Sequence, residues 1–115
     1  MSRVVCEGWW EQEGFGRQPM ERLQLSFDEG QVSGSGTDIV GPFHFTGRLD
    51  GGNALLLKQY VGRHHVDYLG TFDGEGTLSG NWRIGQYEGS WMIRTISVVD
   101  ESHDREATQQ ALDGD

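Results

Sequence analysis

The stretch from Val66 to Arg94, VDYLGTFDGEGTLSGNWRIGQYEGSWMIR, alternates apolar and polar residues three times and breaks twice at turn residues. Val66, Tyr68, Gly70 and Phe72 share one face of its first segment. Leu78, Gly80, Trp82 and Ile84 share one face of the second. In the third, Tyr87, Gly89, Trp91 and Ile93 oppose Glu88, Ser90, Met92 and Arg94. A period of two belongs to a β-strand with one face buried. The breaks at Asp73-Gly74-Glu75-Gly76 and Gly85-Gln86 are short and glycine-bearing, so they predict hairpins between antiparallel neighbours.

The same beat continues toward the N-terminus. Turn clusters fall at Gly14–Gly16, Asp28–Gly30, Asp38–Pro42, Asp50–Asn53 and Gly62–His64. With the two turns above, these divide the chain into about eight short strands. Further strands are expected over Val4 to Gln12, Met20 to Phe27, Gln31 to Asp38, Gly41-Pro42 onward, and Ala54 to Val61. Every connection is short, so sequence neighbours should be sheet neighbours. Eight is the strand number at which such a meander can close around a filled or ligand-sized interior. The expected fold is therefore all-β: an eight-stranded antiparallel up-and-down barrel over residues 1–99. A β-sandwich is the alternative, but no long crossover suggests a Greek key. The inward aromatic set is Trp10, Phe27, Phe43, Phe45, Tyr68, Phe72, Trp82 and Trp91.

Composition narrows the functional classes. The 115 residues make one domain, with a net charge of −9 and mean hydropathy of −0.57. That charge argues against nucleic-acid and anionic-membrane binding, and no apolar run approaches the length of a membrane span. Six acids and one base lie from Asp100 onward, so residues 100–115 form an acidic tail, disordered or briefly helical. Cys6 is the only cysteine. With no secretory leader visible, it fits a reducing compartment, and a cytoplasmic location is expected.

Gly8-Trp9-Trp10 in the first strand satisfies Gly-x-Trp, and Arg94 sits in the last strand. Together they resemble the calycins, in which a first-strand tryptophan packs under an arginine near the end of the barrel. Length and short loops are nearest in architecture to the avidin and streptavidin branch. That resemblance implies an eight-stranded barrel binding a small molecule at one open end. The region after the first strand, Glu11-Gln12-Glu13-Gly14-Phe15-Gly16, departs from the avidin pattern, so biotin binding is not carried over.

Candidate site residues follow from parity and residue type. Ser33-Gly34-Ser35-Gly36-Thr37 offers little side-chain volume, so empty space is expected beside it, with Ser35 and Asp38 as ligand contacts. Phe45, Trp82 and Trp91 would give apolar walls, and Tyr68 a polar contact. Such a mix suits a mostly apolar pocket with a few placed polar groups. His44, His64, His65 and Asp67 are the metal or acid–base candidates. Parity turns His44, His65 and Asp67 outward, and no metal site or cofactor is expected. No catalytic triad order or paired-carboxylate motif is present.

The first functional expectation is non-catalytic binding of a compact, partly apolar or aromatic molecule inside the barrel. The alternative is a filled barrel that interacts through its outer wall. The strand from Ala54 to Val61 would be a homo-oligomer interface, since Leu55, Leu57 and Val61 share one face and Leu56 and Tyr60 the other. A third is a small barrel enzyme of isomerase or hydrolase type.

Overall fold

The computed structural model describes residues 2–99. They form eight antiparallel strands: β1 (Ser2–Gln12), β2 (Gly16–Asp28), β3 (Gln31–Thr37), β4 (Pro42–Asp50), β5 (Asn53–Tyr60), β6 (His65–Phe72), β7 (Thr77–Ile84) and β8 (Tyr87–Val99). Each strand pairs with the next, and β1 pairs with β8, which closes the barrel. No helix of the described residues is long and apolar enough to cross a membrane. The acidic segment 100–115 lies outside the described residues.

Local chemistry sets the turns. In the β4–β5 hairpin Asp50 faces Asn53 across Gly51 and Gly52, both at positive φ. Two such residues in succession give the turn whose twist matches that of the flanking strands. At the β6–β7 turn the Asp73 carboxylate accepts the backbone N–H groups of Glu75 and Thr77, at 2.7 and 3.0 Å.

Alternation holds in most strands. In β5, Ala54, Leu56, Lys58 and Tyr60 point inward and are buried. Strand β2 breaks the period, because Met20 and Leu23 are both buried three positions apart. A bulge between Glu21 and Gln24, with Arg22 at φ 54°, resets the phase. Among the expected inward aromatics, Phe27 and Phe72 are only partly buried, at the margin of the core.

Much of the lumen is filled. Leu25, Phe45, Leu78 and Ile93 are fully enclosed and belong to one continuous core. Space beside β3 is occupied too, contrary to expectation. A side-chain carbon on Gly36 would come within 2.7 Å of the Phe43 ring, and one on Gly34 would run into the Gln24 carbonyl of β2 and the Leu25 side chain. The glycines admit close neighbours instead of leaving a void.

Candidate functional site

The open space lies at one end of the barrel. A pocket of about 270 Å³ is lined by Trp10, Gln12, Val40, Tyr60, His64, Val66, Tyr68, Trp82, Ile84 and Tyr87. Its rim includes the β3–β4 loop through Val40, the β5–β6 loop through His64 and the β7–β8 turn through Ile84 and Tyr87. Meander topology puts those connections, with the β1–β2 turn, at the same end.

Behind three of the lining residues sits a buried ion pair. The Lys58 Nζ lies 2.6 Å from Asp38 Oδ2, and both side chains are fully enclosed. Lys58 occupies the inward parity of β5, two residues from Leu56 and from Tyr60. Asp38 continues the inward parity of β3 beyond Thr37. Its main chain exchanges two hydrogen bonds with Gly41, at 3.1 and 3.0 Å. Its Oδ1 accepts the Val40 N–H at 2.9 Å. That aspartate turn holds the carboxylate over the lumen.

Asp38 Oδ2 accepts two more hydrogen bonds, from the Tyr60 hydroxyl at 2.7 Å and from Trp10 Nε1 at 3.1 Å. Lys58 also donates to the Tyr68 hydroxyl at 3.1 Å. The ammonium sits among aromatic rings, closest to Phe43 at 4.3 Å from the centroid, then Tyr60 at 4.9 Å and Tyr68 at 5.1 Å. Rings at such distances attract a desolvated cation by about 2 kcal/mol. A buried charge needs this degree of compensation.

Burial sets the titration of the cluster. It lowers Lys58 to about 8, against the opposing pull of Asp38. Tyr60 is driven well above the ordinary tyrosine range, first by burial and then by the hydrogen bond and charge of Asp38. Tyr68 moves the same way, first by burial and then by Asp38. Both phenols therefore keep their protons at neutral pH.

Tyr68 and Trp82 of the expected contacts line the pocket, and Asp38 stands directly behind it. Phe45 and Trp91 are buried in the core around the cluster: Phe45 packs edge-on against Tyr68 at 5.2 Å, and Trp91 lies tilted against Tyr68 at 5.2 Å. Ser35 faces outward and is exposed, because it has the opposite parity to Asp38. His44, His65 and Asp67 also face outward. His64 is exposed at the mouth with its ring 5.1 Å from Tyr60.

The tryptophan–arginine packing implied by the calycin resemblance is not formed. Arg94 is exposed and pairs with Glu7 on the barrel exterior, while Trp10 turns its N–H to Asp38. The free Cys6 is buried, and burial pushes its thiol up to about 11, which leaves it a small core residue.

Sequence reasoning passed over Lys58 and Tyr60. The available signal was that Lys58 is the only lysine of the chain and shares the parity of Ala54, Leu56 and Tyr60, a face otherwise without charge.

Fold and site together define a closed eight-stranded meander barrel with one aromatic-lined mouth, an architecture compatible with the calycin-like barrels. Comparison with models of protein families, with curated proteins and with solved structures finds no match.

Proposed function

We propose that the barrel is a binding module that takes a compact, partly aromatic small molecule into its open end. The observation that carries this reading is the mouth pocket. Trp10, Trp82, Val66 and Ile84 give it apolar walls, and the Asp38–Lys58 cluster stiffens it from behind. Pockets of this size and polarity suit small ligands. Hydrogen bonds from Tyr60 and Trp10 to Asp38, and from Lys58 to Tyr68, hold these walls in place before any ligand arrives. Such preorganisation reduces the entropy lost on binding.

The test is a titration with N-phenyl-1-naphthylamine, a neutral dye that brightens in apolar sites. Saturable brightening with quenching of tryptophan emission is expected, and Ile84→Trp should remove both while the far-ultraviolet spectrum stays unchanged. A dye that neither brightens nor quenches would overturn the reading.

A second reading concerns self-association. Leu55 and Leu69 are paired on the outer wall of β5 and β6, and Leu69 is over half exposed. Leu56 points inward, so only Leu55, Leu57 and Val61 of the β5 region can serve an outer interface. Light scattering at high micromolar concentration should give a dimer mass that Leu69→Glu lowers. A monomer mass for the natural chain would rule this out.

A further inference from the structure

Within the pocket, hydrogen-bonding capacity is unevenly spent. Trp10 Nε1 and the Tyr60 hydroxyl both donate to Asp38, and Trp82 Nε1 donates to the Glu11 carbonyl at 3.1 Å. Tyr68 differs. Its oxygen accepts from Lys58, and its own proton has no acceptor among the described residues. A phenol that accepts from an ammonium is a stronger donor, because the cation polarises its O–H. The Tyr68 side chain is 2% exposed and lines the pocket. A buried donor with no acceptor is costly, so a ligand atom that supplies one is favoured.

Charge decides which acceptor fits. Lys58 and Asp38 lie 2.6 Å apart, and their charges largely cancel at the pocket. Asp38 also engages Tyr60 and Trp10, which line the same space. A carboxylate placed at Tyr68 would lose its hydration and face no uncompensated cation. A neutral carbonyl oxygen would meet the Tyr68 proton without that cost. Among the residues that line the pocket, His64 is the ionisable base, and it is exposed to solvent.

We infer that the pocket selects neutral aromatic ligands bearing a carbonyl oxygen, ketone or amide, with the Tyr68 hydroxyl as the donor that recognises it. This rests on the mouth pocket being a binding site. The high position of the Tyr68 phenol agrees, since it stays protonated across the neutral range. Tyr68 is thereby a specificity residue, positioned by Lys58.

The experiment is displacement of N-phenyl-1-naphthylamine from the full chain at pH 7 by three compounds of matched shape. These are 2-acetylnaphthalene, with a carbonyl, 2-isopropenylnaphthalene, with a methylene in its place, and 2-naphthoate, with a carboxylate. The ketone should displace the dye about tenfold more tightly than the hydrocarbon, as expected of one hydrogen bond from a buried donor that otherwise lacks an acceptor. The carboxylate should be the weakest. Tyr68→Phe should erase the ketone's advantage over the hydrocarbon.

Equal affinity of ketone and hydrocarbon for the natural chain would overturn the inference and leave the pocket reading standing. So would an advantage that survives in Tyr68→Phe, or tighter binding of the carboxylate. If Tyr68→Phe does not fold, the three affinities on the natural chain decide alone. Failure of the dye itself to bind would overturn both readings together.

Discussion

At the scale of residues, Lys58 is the centre of this protein. It is the sole lysine, it is fully enclosed, and it touches Asp38, Tyr68 and the face of Phe43. Lysines almost never lie fully buried without a partner, so Asp38 and Lys58 must enter the lumen together. Replacing one of them strands the other in a low-dielectric interior. Lys58→Met should therefore destabilise the fold by about 3–5 kcal/mol, because Asp38 keeps its charge with only neutral donors around it. Adding Asp38→Asn to Lys58→Met should recover a large part of that loss. Urea denaturation of the two single variants and the double variant closes the cycle. Additive losses would show that the two groups do not act as a pair.

At the scale of elements, the strands differ in how they admit their neighbours. Gly70 in β6 and Gly80 in β7 are paired directly. A side-chain carbon on Gly70 would run into the Ser79 carbonyl, and one on Gly80 into the Leu69 carbonyl. The β6 and β7 backbones lie so close there that no side chain fits, as expected where a sheet coils sharply to close. Gly80→Ala should cost about 1–3 kcal/mol, the usual penalty of overpacking, seen as a lower guanidinium midpoint with an unchanged slope. No loss would mean that the two strands can part freely. In β3, Gly34 behaves likewise, since a side-chain carbon there would run into the Gln24 carbonyl, whereas at Gly36 the space is taken by the Phe43 ring. Small residues in the sequence therefore marked close approach at two places and an opening at neither.

At the scale of the whole molecule, the buried cluster ties global stability to pH. Lys58 titrates near 8 in the folded chain against an ordinary 10.5. Between those values the unfolded chain holds more protons, so stability rises as pH rises through that window. Tyr60 and Tyr68 act in the opposite sense. Above about 10 the unfolded phenols ionise while the folded ones keep their protons, so stability falls. Guanidinium midpoints measured from pH 7 to 11 should climb above pH 8, level off from about 9, where the raised Cys6 thiol opposes Lys58, and fall above about 10. No rise between pH 8 and 9 would show that Asp38 holds Lys58 charged through that window.

The sequence by itself determined the barrel. Period-two alternation and short glycine-bearing turns are local properties, and local turns leave a meander with only one way to close. Parity also carried Asp38 and Tyr68 to the lumen and His44, His65 and Asp67 to the exterior. Tertiary structure alone decided where the lumen stays open and what faces it. The opening depends on whether side chains of the neighbouring strands, such as Leu25 and Phe43, cover the β3 glycines, a matter of three-dimensional packing that strand parity does not determine. The partnership of Lys58 with Asp38 spans two strands and a loop. A lysine in an apolar strand reads as solvated until a carboxylate is found opposite it, and only the closed barrel puts one there.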